Sequence, residues 1–439
     1  MREMKDSGIE WIAEIPKSWD IKFAKHIIDN LINGYSFASE ELKGEYKYPV
    51  VRIGDIQKET IDLNSALRTN VDEHDLKNYG IKENDILIAL SGATVGKLAY
   101  INQLLEHAYI NQRVGIIRSK YSKLLYYLLT TEQFLNYIIL ESSGTAQPNI
   151  SNKMIKNFVI PMSKKENEIL KITNYLDDKC EKIDRMIAKE KEEIEKLNEY
   201  KDSLIEITIT KGLNKKVNMV KSELKWIDEI PKDWKKYKLS QLCSSKKYSM
   251  VDGPFGSDMK NEEYVDEGVP IVQLTNIKKY NHYTEKLKFI TRDKHLQLKR
   301  HTALKGDIAI AKMMPAGRAC ILDDLYNEYV VAADAIRFSP NEIKVDKRFV
   351  LYCLNTYGMV ECELESKGTT RIRISLDIAR NIKLYLPKLE EQTSIADFLD
   401  KKCNEIEKTI KLKEVKIEKV EAYKKSLIYE CVTGKREVE

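Results

Sequence analysis

The chain repeats itself, and that repeat constrains its fold more than any single motif does. Ser7-Gly-Ile-Glu-Trp11-Ile12-Ala-Glu14-Ile15-Pro16-Lys17-Ser-Trp19 returns as Ser222-Glu-Leu-Lys-Trp226-Ile227-Asp-Glu229-Ile230-Pro231-Lys232-Asp-Trp234, with eight of thirteen positions identical at an offset of 215. All four tryptophans lie in these two blocks. Further on, Leu176–Ile183 matches Leu399–Ile406 and Tyr200–Ile205 matches Tyr423–Ile428, both at an offset of 223. Between these anchors only a skeleton persists. Val50–Ile56 lies on Ile271–Ile277, Asp85-Ile86 on Asp307-Ile308, Gly96-Lys97 on Gly317-Arg318, and Gly144–Ser151 on Gly368–Ser375. The frame is constant while its polar residues change. That is expected of one scaffold reading two targets, and equally of an old duplication whose loops have drifted.

Each copy ends in a long apolar seam. Steps of three and four through Ile169, Ile172, Leu176, Cys180, Ile183, Ile187, Glu190, Ile194, Leu197, Lys201 and Leu204 give nine apolar residues of eleven. The second copy, from Gln392 to Leu427, gives eight of eleven, and neither run contains glycine or proline. This spacing predicts two coiled-coil helices of about 60 Å, at about 1.5 Å per residue. Both seams are interrupted at the same levels, Glu190/Lys413 and Lys201/Lys424. Polar seam residues fix register or pairing, so the simplest partner for each helix is the other. Two separate helical hairpins are the alternative. Upstream of each seam, short runs such as Asp85–Leu90 and Asp307–Ala311 alternate with Gly, Asn and Asp breakers and predict buried strands. Each copy is therefore an α+β globule of about 150 residues followed by a rod.

At 439 residues the chain affords more than one core. No apolar run is long enough to span a bilayer, the N-terminus lacks a signal-peptide core, and the seven cysteines form no C-x-x-C pair, so a cytoplasmic, reducing setting is expected. The net charge is +5. The segments 164–221 (14 basic, 13 acidic) and 388–439 (12 and 12) carry almost none of it, which leaves the mild excess on the globules. Catalytic signatures are missing. Ser91–Leu98 has three residues between its glycines where a phosphate-binding loop needs four, and leucine where magnesium needs a hydroxyl. Glu365-Ser366-Lys367 has the spacing of half a nuclease motif without its upstream carboxylates, and the six histidines are scattered. The chain reads as a binder, with no catalytic or metal-ligating residue to name.

The doubled Trp-Ile-x-Glu-Ile-Pro-Lys-x-Trp openings, Asp252-Gly253-Pro254-Phe255-Gly256-Ser257 with Gly34-Tyr35-Ser36-Phe37 in the equivalent place, the Gly-Thr…Ile-Ser closings, and Leu386-Pro387-Lys-Leu-Glu390-Glu391-Gln392 resemble the DNA-specificity subunit of type I restriction–modification enzymes. The first copy departs from the pattern at Ile160-Pro161-Met-Ser-Lys-Lys-Glu166, which blurs where its rod begins. The resemblance covers the whole chain. It implies two α+β target-recognition globules separated by two long antiparallel coiled-coil helices with a pseudo-twofold internal repeat: residues 1–163, helix 164–213, residues 214–388 and helix 389–439. It implies double-stranded DNA as partner, read at an asymmetric bipartite site, and no membrane. It also implies docking of two modification subunits, which bind S-adenosylmethionine and methylate adenine, and of a motor–nuclease subunit using ATP and magnesium. No cofactor is expected in this chain. A recognition chain of another methyltransferase–nuclease system, or a paired-helix scaffold for protein ligands, would share many of these features.

Base edges are read by Arg at guanine and by Asn or Gln at adenine. Polar loop residues at positions where the copies differ are therefore the candidates. These are Lys97, Asn111, Gln112, Arg113, Gln147 and Asn149 in the first globule, and Lys312, Arg318, Arg371 and Arg373 in the second. Arg371 and Arg373 lead, because alternate residues of an extended segment share a face. Trp11 and Trp226 are expected to pack a globule against the base of a rod, with partner docking as the sharper alternative.

Overall fold

The computed structural model describes residues 2–57, 60–92, 94–141, 149–255, 258–365 and 372–438. It divides into two units, Met1–Lys191 with Glu414–Glu439, and Glu192–Lys413. The fold is mixed helix and sheet, and the repeat seen in the sequence is a repeat of structure.

In the first unit, Ile86–Ala89 is a strand buried at every position. A run apolar on both faces has to lie inside a sheet with both sides covered. It is central in the antiparallel order Asn30–Asn33, Val114–Arg118, Ile86–Ala89, Leu98–Tyr100. A three-stranded sheet follows, in which Tyr48–Val51 pairs parallel with Tyr109–Ile110. The second unit repeats the plan with Met250–Asp252, Ala335–Phe338, Ile308–Ala311 and Ala319–Ile321. Its second sheet grows to five strands and keeps one parallel pair, Val269–Val272 with Glu328–Val331.

Matched polar groups brace the two sheets. The buried carboxylates of Asp85 and Asp307 each accept 2.8 Å hydrogen bonds, from the amides of Lys82 and Leu304. Asp85 also pairs with Arg118 at 2.7 Å, and Asp307 lies 4.0 Å from Arg337. A buried carboxylate needs such partners, since stripping its water without replacing it is costly.

The tryptophan blocks fold alike. Met4–Asp6 pairs with Glu14–Pro16, and Met219–Lys221 with Glu229–Pro231, in the same register: Lys5 faces Ile15 and Val220 faces Ile230. Trp19 shares its core with Cys431 and Val432 at the end of one long helix, while Trp234 shares its core with Ile205 and Ile209 near the end of the other. Trp11 stacks on Phe158 with ring centroids 5.5 Å apart, and Trp226 packs on the second core.

The long helices span Glu166–Lys211 and Leu389–Val432, each starting on acidic residues that suit the positive end of the helix dipole. The altered segment before the first helix is a strand, Val159–Ser163, paired with Trp19–Phe23. Within the first unit, Asp184 pairs with Lys424 at 2.8 Å and Glu190 with Lys416. Within the second, Glu193 pairs with Lys413, and Lys201 with Glu407 at 3.3 Å. Numbers rise along one helix as they fall along the other, so the two run antiparallel in both units. All four polar interruptions of the seams sit in these cross-helix ion pairs.

Candidate nucleic-acid interface

One end of each four-stranded sheet gathers loops that the sequence spreads over more than a hundred residues. In the first unit, Leu90 N donates to Arg113 O at 2.9 Å and Ile150 N to Leu90 O at 2.8 Å. Tyr35 N donates to Ile110 O at 3.0 Å and Gln112 N to Tyr35 O at 2.8 Å. Asn149 is bridged to Ser91 and Asn111 to Tyr35. The turns 34–37, 90–92 with 94–97, and 111–113 thus form one edge with residue Asn149.

The second unit builds the same edge. Lys312 N donates to Asp334 O and Ile374 N to Lys312 O, both at 2.9 Å, and Arg373 is bridged to Met313. Gly253 N donates to Ala335 O at 3.1 Å. One detail fixes the correspondence. A Cβ on Gly34 would lie 2.2 Å from Asn111 O, and on Gly253 2.0 Å from Ala332 O. Only glycine lets the two backbones come so close. Asn111 and Ala332 are matched again by their amides, each donating at 3.0 Å, to Val51 O and Val272 O.

On this common frame the side chains diverge. The first edge is polar: Lys97, Gln112, Arg113 and Asn149 are exposed, Asn111 is half-buried, and Ser36 Oγ donates to Gln112 Oε1 at 2.8 Å. Lys97 Nζ also reaches Ile56 O at 3.4 Å. At the second edge, Ala332, Ala333 and Asp334 stand where the first has Asn111, Gln112 and Arg113. Arg373 is exposed and held to Asp334 at 2.7 Å. Phe255 and Met314 project from it, 81% and 70% exposed. Beside them lies an apolar cleft of about 860 Å³ lined by Met313, Met314, Met359, Val360 and Ile372.

The structure places two candidates inside this edge. Lys312 is only 8% exposed, with its ammonium 3.3 Å from Asp252. Arg318 is half-buried and donates to Leu274 O at 3.1 Å; burial pulls its guanidinium down from the usual arginine value. Both are committed to protein partners that position the loops. Gln147 and Arg371 lie outside the described residues, as do the two Gly-Thr pairs at 144–145 and 368–369. Sequence reasoning passed over Ser36, Phe255, Met314 and Asp334. The signal for Phe255 was present in the sequence, a large apolar residue flanked by Gly253-Pro254 and Gly256, residue types that favour turns, where nothing compels burial.

Among the described residues there is no group of three or more His, Cys, Asp or Glu placed to hold a metal ion, and no helix is long and apolar enough to cross a membrane.

Residues 16–196 and 231–417 match the type I restriction modification DNA specificity domain. The chain belongs to this family. Its two matched segments each contain one of the edges described above, so the specificity domain is present twice. The chain is 27% identical over 433 residues to the type I restriction enzyme MjaVIII specificity subunit of Methanocaldococcus jannaschii, covering 96% of this chain and 93% of that one. It is 23% identical to the EcoBI specificity subunit of Escherichia coli, covering 92% and 85%. The fold resembles a chain from a solved structure of the type I R-M system (TM-score 0.69, 14% identity, covering 96% and 99%). It also resembles the HsdS subunit of Thermoanaerobacter tengcongensis (TM-score 0.51, 14% identity, covering 96% and 98%).

Proposed function

We propose that this specificity-family chain reads an asymmetric bipartite sequence in double-stranded DNA, one half-site at each edge, and does no chemistry itself. The observation carrying this reading is the matched pair of edges with unlike side chains. A shared frame gives both units the same approach to DNA. Different groups on it, amides and Arg113 on one, Phe255, Met314 and Arg373 on the other, select different bases. Arg, Asn and Gln recognise purine edges bidentately, whereas exposed apolar groups suit the thymine methyl. Of the eight candidates among the described residues, Lys97, Gln112, Arg113, Asn149 and Arg373 are exposed and would contact DNA in this reading. Lys312 and Arg318 would support them.

In this reading the paired long helices dock two modification subunits, whose S-adenosylmethionine supplies the methyl group for adenine. A motor–nuclease subunit using ATP and magnesium joins the same assembly, in the cytoplasm. Two helices of matched length and seam offer two equivalent docking faces. Trp11 and Trp226 are packed on their own cores in this chain, so they serve docking only through the faces they brace. The length of the helices sets the unread gap between the half-sites.

Methylation-aware sequencing of the host genome tests the proposal. A two-part motif with adenine methylated on both strands should appear and should vanish when this chain is removed. A motif that persists without the chain, or one with a single uninterrupted recognition sequence, would overturn it.

A further inference from the structure

The apolar seam cannot by itself choose a partner, because the two long helices present nearly the same one. At the offset of 223, Ile172, Leu176, Cys180, Ile183, Ile187, Ile194 and Leu204 correspond to Ile395, Leu399, Cys403, Ile406, Ile410, Ile417 and Leu427. Two like helices could bury these residues as well as two unlike ones. The charged positions behave differently.

By the same offset, Asp184 and Lys201 correspond to Glu407 and Lys424, so the outer charges keep their sign between copies. Glu190 and Glu193 correspond to Lys413 and Lys416, so the inner charges are reversed. The observed inner pairs are Glu190–Lys416 and Glu193–Lys413, and the outer pairs Asp184–Lys424 and Lys201–Glu407. Apply this register to two copies of the first helix. Asp184 would meet Lys201, an attractive pair, but Glu190 would meet Glu193 twice. Two copies of the second helix would set Lys413 against Lys416 twice. Glu190 is only 11% exposed at its side chain and Lys413 22%, so water screens these contacts incompletely.

From this pattern we infer that Glu190, Glu193, Lys413 and Lys416 are the pairing determinant of the long helices. They accept the unlike helix and reject a like helix from a second copy of the chain. Charges flanking an apolar seam set partner choice in coiled coils, and specificity needs a repulsive element as well as an attractive one. The inference concerns the helices alone and holds whatever the edges bind.

Four full-length double variants of identical composition and net charge test it. Glu190→Lys with Lys416→Glu, and Glu193→Lys with Lys413→Glu, each reverse one existing pair and leave both inner pairs attractive. Glu193→Lys with Lys416→Glu, and Glu190→Lys with Lys413→Glu, set like charges in both pairs. In all four variants a like helix would meet opposite charges, so only in the last two does it become the better partner. The first two should melt within about 2 °C of the parent, and the last two about 5 °C lower. When two differently tagged copies of one variant are co-produced, only the last two should capture each other, as the parent should not. Equal melting of all four, or capture that does not follow the pairing, overturns the inference. Should a mispaired chain not fold, neutral variants answer the same question. Glu193→Gln with Lys416→Gln breaks both pairs and should lower the melting point about twice as far as Glu190→Gln with Lys416→Gln, which empties one; equal losses overturn the inference.

Discussion

Arg373 and Asp334 show how a single residue's role depends on its neighbour. The 2.7 Å ion pair holds the guanidinium in place at the edge, and DNA phosphates or a guanine would have to compete with Asp334 for it. Arg373→Ala should weaken binding to the second half-site by about 10–100-fold and leave the first protected in footprinting. Asp334→Asn should instead raise affinity a few-fold, because a competing acceptor is gone. Gly34→Ala and Gly253→Ala should each cost about 1–3 kcal/mol in urea unfolding, since a methyl group would collide with a carbonyl oxygen that belongs to the backbone and has little room to move. Burial also holds the His282 and His295 imidazoles below the ordinary histidine value, although Asp323, 3.1 Å from His282, pulls the other way. The unfolded chain therefore takes up these protons at higher pH than the folded one. This stability is complete above about pH 6.5 and is lost as pH falls toward the folded values. The urea midpoint should drop between pH 7.5 and 5.5, and less so in His282→Gln; Asp307, raised by burial, acts in the opposite direction at lower pH.

At the scale of the element, the tryptophan blocks join what the chain order keeps apart. Trp19 is packed in a core with Leu427, Cys431 and Val432, about four hundred residues away, whereas Trp234 meets Ile205 and Ile209 only a few turns of chain before it. Both rings are buried, so each truncation removes a large apolar surface and leaves a void. Trp19→Ala and Trp234→Ala should each cost about 3–5 kcal/mol, read as an earlier thermal transition of the unit concerned. The loss should be of similar size in both, even though Trp19 joins far more distant parts of the chain, because each truncation removes the same apolar ring while the rest of its core still holds the loop closed.

On the scale of the whole molecule, the length of the long helices is the quantity to change. Adding one heptad at matched points of both long helices keeps the seam in register and lengthens each by about 10 Å, close to three base pairs of duplex. The gap in the methylated motif should widen by about that amount while both half-site sequences stay the same. A heptad in one helix alone should break the seam and lower stability without a defined new gap. Binding should also weaken steeply with salt, in proportion to the phosphates contacted, a dependence that a scaffold for neutral protein ligands would lack.

The repeat, the apolar seams and the fully buried strands were legible in the sequence because each is a local pattern. Periodicity of 3.6 or 2 and a constant offset need no knowledge of what the residues touch. Membership of the specificity family followed from the same anchors. What only the tertiary structure decided is which polar residues face outward. Lys312 and Arg318 look like Lys97 and Arg373 in sequence, yet the first two are turned inward onto Asp252 and Leu274. Burial of a polar side chain depends on partners that come from distant loops. For the same reason, the ion pairs made by Glu190, Lys201, Lys413 and Lys424 could be seen as interruptions of a seam but not assigned until the antiparallel register was known.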